Sequence, residues 1–287
     1  MASNLSQRIG FALVAIPVAL AVVWFGSWPL VLLVSAAAAL GARELLAFAR
    51  RQSLPPLDRF TLISSAVLPL YVYLAITLLP GLARASWIVF GLWLVLLLSI
   101  ALLRRRPDEH PLTVTAVTAF AVLYPAGLAS FLIAIRHLNP EFGERSWPGA
   151  WLVFFPLVIT WVCDTAAMVA GRAIGGPKLW PAISPGKTWA GSIAGVLGAI
   201  ASVPLLNYLV LERVGVALPL LEGLTFAAVL GVVGQAGDLA ESLFKREVGV
   251  KDSSALIPGH GGVLDRLDSL YFVLPVSAAL YRLFGVL

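Results

Sequence analysis

Long apolar runs broken by short polar stretches set the plan of the chain. Nine of them approach or reach the ~20 residues a helix needs to cross a bilayer. They are roughly Ile9–Phe25, Trp28–Phe48, Phe60–Leu79, Ser86–Leu103, Leu112–Ile135, Ala150–Ala170, Thr188–Leu211, Glu222–Leu243 and Leu267–Leu287. The pattern predicts an all-α polytopic membrane protein with about nine transmembrane helices. Ionisable groups fall within several of the runs, notably Arg43 and Glu44 in the second, Asp164 in the sixth, and Asp238 with Glu241 in the eighth. The first run follows Arg8 and passes through Gly26-Ser27-Trp28-Pro29 straight into the second. Without a small-x-small cleavage site, it reads as a spanning helix and not as a removable signal.

Composition agrees with a bilayer as solvent. Hydrophobic residues make up 60% of the 287 positions and charged residues 12%, with a mean hydropathy of +0.92. A large soluble domain needs more polar surface than that. The single cysteine, Cys163, excludes a disulfide within the chain and any multi-cysteine metal centre. The net charge of +5 matters through its placement. With a cytoplasmic N-terminus and nine spans, fifteen of the 20 Lys and Arg residues fall inside and five outside, the bias that orients membrane proteins. The C-terminus is then outside, and the loops 171–187 and 243–266 face the cytoplasm. Every unusual polar cluster comes after residue 149. Residues 1–149 (about five helices) therefore read as scaffold and dimerisation region, and residues 150–287 (about four helices) as the catalytic region. No internal repeat of the kind common in transporters is visible.

Three clusters could carry chemistry. Asp164, in WVCDTAAMVAGR, lies deep in an apolar run, where a carboxylate is costly and marks function or a specific partner. Ala166, Ala167, Ala170 and Gly171 would allow a neighbouring helix close approach, and Arg172 could snorkel or meet a phosphate. The second cluster, GGPKLWPAISPGKTWAG, ends like a P-loop, but Pro181 stands where the first glycine belongs and no strand is expected before it. Ser184, Lys187 and Thr188 are placed at the start of the following helix, where free N–H groups favour an anion. The third cluster spans Gly237–Ser269. Asp238 and Glu241, and again Asp265 and Asp268, are spaced to share a helix face. Lys245, one turn on, could pair with Glu241. Four carboxylates with Lys245, Arg246, Lys251 and a glycine-rich turn suit a divalent cation carrying phosphates. Mg²⁺ is preferred because it is held by few carboxylates plus substrate phosphates. His260, lacking Cys or a second His nearby, is a poor zinc ligand and is assigned to phosphate contact or loop structure. Acids, bases and an adjoining bilayer together suit phosphoryl or nucleotidyl transfer to a lipid.

The last cluster closely resembles the phosphatidate cytidylyltransferase (CDP-diacylglycerol synthase) family. The resemblance is carried by Ser242, Lys245, Arg246, Lys251, Asp252, Pro258, Gly259, His260, Gly261, Gly262, Asp265, Arg266 and Asp268 at the family's spacing. Upstream, Trp161-x-x-Asp164-Thr165, Gly171-Arg172, Ile183-Ser184-Pro185-x-Lys187-Thr188 and Gly237-Asp238-Leu239-x-Glu241-Ser242 look like the family's other motifs. Two positions depart from it: Ala190, where the family usually has Glu, and Met168, where Tyr is common. The resemblance implies conversion of CTP and phosphatidate to CDP-diacylglycerol and pyrophosphate with Mg²⁺, alone or beside a second cation. It further implies a homodimer in the cell (inner) membrane, surrounded by membrane lipids and with no nucleic-acid partner. On this reading Asp164, Lys187, Asp238, Asp265, Arg266 and Asp268 are catalytic. Asp238, Asp265 and Asp268 face metal, and Arg172, Ser184, Lys187, Thr188, Glu241, Ser242, Lys245, Arg246, Lys251 and His260 bind substrate. A CTP-dependent polyprenol or phytol kinase is the related alternative, and a membrane transporter the alternative from another class. A CDP-alcohol phosphotransferase is disfavoured because its D-x-x-D-G pattern is absent.

Overall fold

Apolar runs of this length fold as helices because hydrocarbon offers their backbone N–H and C=O groups no other partner. The structure, a computed structural model, describes residues 2–287 apart from 258 and 260, with side chains from residue 13 onward. In chain order come α1 (Ala2–Phe25), α2 (Ser27–Arg51), α3 (Asp58–Thr77), a short α4 (Pro80–Arg84) and α5 (Ser86–Arg104). Then follow α6 (Pro111–Val122) and α7 (Leu128–His137), joined through a π-helical turn at Leu123–Gly127. The C-terminal part holds α8 (Trp147–Ile174), α9 (Trp189–Leu206) with a second π turn at Asn207–Leu211, α10 (Leu220–Glu247) and α11 (Leu264–Leu283). Among the described residues seven segments are long and apolar enough to cross a membrane. They match the second to eighth expected runs. The first and last runs are also helical. However, α1 has described side chains only from Leu13, and α11 opens on Asp265, Arg266 and Asp268, so neither joins the seven.

One expectation is corrected. Between α8 and α9 the chain forms an antiparallel hairpin of β1 (Lys178–Trp180) and β2 (Ser184–Thr188), with Lys178 opposite Thr188 and Trp180 opposite Ser184. Ser184 and Lys187 therefore lie on a strand and not on the helix start. Pro185 breaks helix there, and β2 directly feeds α9, whose N-cap is Thr188: its Oγ1 accepts from the Gly191 N–H at 3.1 Å.

The chain divides into two compact units, 1–138 with 252–266 and 139–251 with 267–287. Residues 252–266 count with the first unit. In that first unit α2 buries Leu30, Val34, Ala38, Ala42, Leu45 and Ala49, a single stripe at helical spacing. The fully buried Arg136 donates from Nε to the Val23 carbonyl at 2.9 Å and from a terminal nitrogen to that of Trp24 at 3.1 Å. A cation thus meets the carbonyl end of α1, where the helix dipole favours it. By contrast α5 buries only Leu97 and Ala101 and leaves Trp87, Leu92, Leu102 and Leu103 outward, as a lipid-facing helix does.

In the second unit α8 and α9 pack through the small-residue seam expected at Ala166–Gly171. A Cβ on Gly191 would lie 2.7 Å from the Ala167 carbonyl oxygen, one on Gly195 2.9 Å from that of Cys163, and one on Gly198 2.8 Å from Ala166 Cβ. Only glycine lets the backbones come this close. Gly237 does the same between α10 and α11, 2.7 Å from the Asp268 carbonyl oxygen.

Candidate active site

Each unit contains its own polar constellation. The one in the second unit draws on α8, β2, α10 and α11. Lys187, at the end of β2, reaches α10 and pairs with Asp238, its Nζ 2.7 Å from Oδ2. Ser242 Oγ, one turn along, donates to the other Asp238 oxygen at 3.3 Å. Asp164 on α8 is within electrostatic reach of both Asp238 and Lys187, and Asp268 on α11 within reach of Asp238, Lys245 and Asp164. Three helices thus bring carboxylates within electrostatic reach of one another, with Lys187 paired to the one on α10.

Glu241 lies one turn along α10 from Asp238 but has a different partner. Its side chain is 1% exposed, and the Lys245 ammonium approaches Oε1 at 3.1 Å, as the i,i+4 spacing predicts. The pair engages both side chains at α10's polar end, so the expected substrate role of Glu241 and Lys245 would require it to open. Arg246 is likewise engaged: Nε donates to the Ile183 carbonyl and Nη1 to that of Val250, both at 3.1 Å. It ties the hairpin and the chain after α10 to one guanidinium. Arg172, Lys178 and Lys251 are exposed, Ser184 is half-buried, and Thr188 is buried as the α9 cap.

The first unit holds Asp265 and Arg266. Arg266 is exposed, and Asp265 is 8% exposed. Asp265 Oδ2 accepts from the Ser253 N–H at 2.7 Å and the Gly262 N–H at 2.8 Å, and lies 2.7 Å from Ser253 Oγ. Asp265 therefore anchors its own loop. Gly261 has φ +80°, and a Cβ there would press on the Asp265 carboxyl group, so glycine is required at this turn. His260 and Pro258 lie outside the described residues.

Sequence reading missed the partner of that loop. Glu44 on α2 is 5% exposed. Its Oε1 accepts from Ser254 Oγ at 2.7 Å and the Val263 N–H at 3.0 Å, and its Oε2 from Ser253 Oγ at 2.8 Å and the Leu264 N–H at 2.9 Å. The only hint in the sequence was a carboxylate inside an apolar run.

Asp238 and Asp268 offer hard oxygen donors beside a lysine, the chemistry that suits Mg²⁺ shared with phosphates. Among the described residues no three His, Cys, Asp or Glu side chains group closely enough to hold a metal by themselves.

The cytidylyltransferase family model matches residues 6–284. The phosphatidate cytidylyltransferase of Haemophilus influenzae is 33% identical over 297 residues, covering 96% of this chain and 98% of that protein. That of Brucella suis is 42% identical over 167 residues, 58% of this chain and 56% of the relative. That of Staphylococcus saprophyticus is 45% identical over 128 residues, 45% of this chain and 48% of the relative. The chain thus matches about half the length of the Brucella and Staphylococcus relatives and nearly all of the Haemophilus one.

Proposed function

Since the chain belongs to the cytidylyltransferase family, we propose that it is a CTP:phosphatidate cytidylyltransferase, making CDP-diacylglycerol and pyrophosphate for phospholipid synthesis. One observation carries the reading: Lys187 is held against Asp238, with Asp164 in electrostatic reach of both and Asp268 in reach of Asp238 and Asp164. Carboxylates gathered around a lysine are costly in an apolar protein unless a charged substrate uses them.

In the proposed reaction an oxygen of the phosphatidate phosphate attacks the α-phosphorus of CTP in line. The bond to the β-phosphate oxygen breaks and pyrophosphate leaves. The nucleophile is already an anion, so no side chain need take a proton from it. The triphosphate competes with Asp238 for the Lys187 ammonium, which places this cation on the phosphates as charge shifts toward the leaving group. The α9 N-terminus, capped by Thr188, adds favourable N–H dipoles beside Lys187. Asp238 and Asp268 are the carboxylates that would hold Mg²⁺, which when bound neutralises phosphate charge in the transition state. Arg172 and Lys251, both exposed, are available to further phosphates, and Arg266 enters the proposal from its sequence motif alone. Asp265 enters the ligand proposal from its sequence motif and the loop from its geometry; the D265N variant described in the Discussion separates the two roles.

The same proposal includes nine spans, a cytoplasmic N-terminus with loops 171–187 and 243–266 on that side, and a homodimer in the cytoplasmic membrane. The deciding experiment incubates purified protein in detergent with labelled CTP, phosphatidate and Mg²⁺. CDP-diacylglycerol with stoichiometric pyrophosphate is expected. CDP with a phosphorylated prenol, when a prenol is supplied, would replace the reading by a CTP-dependent lipid-alcohol kinase, and neither product would refute nucleotidyl transfer.

A further inference from the structure

Glu44 has no part in the chemistry proposed above, yet its buried carboxylate is heavily engaged. Four donors meet its two oxygens, two serine hydroxyls and two backbone N–H groups, all between 2.7 and 3.0 Å. All four donors belong to the segment 253–264, more than 200 positions away in the chain. That segment joins the end of the Lys251 stretch to the start of α11, and so carries Asp265 and Arg266. We infer that Glu44 is a positioning residue: its carboxylate fixes the Ser253–Leu264 loop on α2 and thereby sets where the first turn of α11 presents its charged side chains.

The geometry specifies a carboxylate and no other side chain. Each Glu44 oxygen takes one hydroxyl and one backbone N–H. The hydroxyls of Ser253 and Ser254 can rotate to accept instead of donate, but the Val263 and Leu264 N–H groups cannot. A glutamine has one acceptor oxygen, so in either orientation its NH₂ would face one of these N–H groups. A buried N–H would then lose its acceptor. Val263 and Leu264 lie at the opening of α11, whose first N–H groups have no partner within the helix. Glu44 therefore serves as a cap supplied from a distant helix, and its negative charge suits the helix's positive end. Ser253 Oγ links the two anchors, 2.8 Å from Glu44 Oε2 and 2.7 Å from Asp265 Oδ2. Gly262 closes the arrangement: a Cβ there would sit 2.5 Å from Glu44 Oε2, so the loop can wrap the carboxylate only with glycine at this place. A carboxylate needed merely for solubility would not have been enclosed so fully.

The inference rests on the reaction proposed above only in its kinetic consequence; the latch itself can be read without activity. The test uses the full-length protein in detergent, wild type beside Glu44→Gln, and beside Ser254→Ala as a milder variant that removes one half-buried donor. Amide hydrogen exchange is followed by mass spectrometry on peptides covering 253–264 and, as control, the α8–α9 seam. In E44Q the loop peptides are expected to exchange at least ~10-fold faster while the seam peptides are unchanged. In S254A the loop should shift in the same direction by a smaller factor. Steady-state kinetics on the folded fraction, set by thermal shift and size-exclusion chromatography, should show kcat reduced by about 100-fold, the scale of a small misplacement of reacting groups, with KM for CTP changed by less than about threefold. A purely structural role would lower the folded fraction and leave kcat per folded molecule unchanged. Unchanged loop exchange in both variants would overturn the latch, and faster exchange with unaltered kcat would overturn positioning. Wild-type protein without nucleotidyl transfer would refute the reaction and not the latch, which the exchange data decide alone.

Discussion

Removing Lys187 separates a phosphate-binding role from a structural one, because the two carry different magnitudes. The Lys187 ammonium sits 2.7 Å from Asp238 Oδ2, with side chains 26% and 33% exposed. At an effective dielectric of about 20 the gross attraction at that distance is roughly 6 kcal/mol. Desolvation, side-chain entropy and solvent screening reduce such partly exposed pairs to about 1 kcal/mol or less of net stability. Lys187→Ala should therefore shift the melting temperature by no more than about 2–4 °C. Its effect on catalysis is expected to be far larger. A lost electrostatic contact to charge developing in the transition state costs about 2.7–4 kcal/mol, or 10²–10³-fold in kcat. CTP kinetics should carry the loss, with the KM for phosphatidate little altered. Lys187→Arg restores the charge but not the compact ammonium geometry, so partial recovery is expected. The assay is steady-state turnover with each substrate varied in turn, run beside a thermal-shift measurement on the same preparations. Unchanged kcat and KM for CTP would remove Lys187 from the phosphates, and a large fall in melting temperature with intact turnover per folded molecule would make the ion pair a structural strut.

Four further outcomes are expected. Asp265→Asn keeps an amide oxygen for the Ser253 and Gly262 N–H groups; if the carboxylate also serves the metal, kcat falls at least ~100-fold with fold retained, whereas a loss below ~10-fold in a Mg²⁺ titration leaves it as a loop anchor alone. Glu241→Ala removes one carboxylate of a buried ion pair and should destabilise the protein by about 3–5 kcal/mol, read as a much lower melting temperature. Gly191→Ala places a methyl 2.7 Å from the Ala167 carbonyl oxygen, so α8 and α9 must separate at a cost of about 1–3 kcal/mol, checked by thermal shift against Gly186→Ala, where a Cβ meets open space. Single cysteines at the exposed Lys178 and Lys251 in a Cys163→Ser background should react with an impermeant thiol reagent only in inside-out vesicles; labelling from the opposite side would reverse the proposed orientation.

The sequence by itself determined the features that depend on neighbours along the chain. Apolar run length gave the helices, because a bilayer leaves the backbone no other way to satisfy its polar groups. The i,i+4 spacing gave the Glu241–Lys245 pair, and small residues at Ala166–Gly171 gave a close helix seam. A motif of fixed spacing gave the family. It did not give the hairpin at Lys178–Thr188, because Pro185 and Gly186 read equally as a connector, and only pairing across the turn makes β2 a strand. Tertiary structure decided the partners that lie far apart in sequence. Lys187 could have met any carboxylate of its region, and the approach of β2 to α10 selected Asp238. Glu44 looked like an isolated acid at the end of an apolar run. Its four donors lie more than 200 residues away, and no local periodicity encodes a contact of that span. Local pattern fixes which face of a helix is polar, but the partner of a buried carboxylate is set only when distant backbone is folded around it, because the cost of burying it is met by those donors together and not by any one of them.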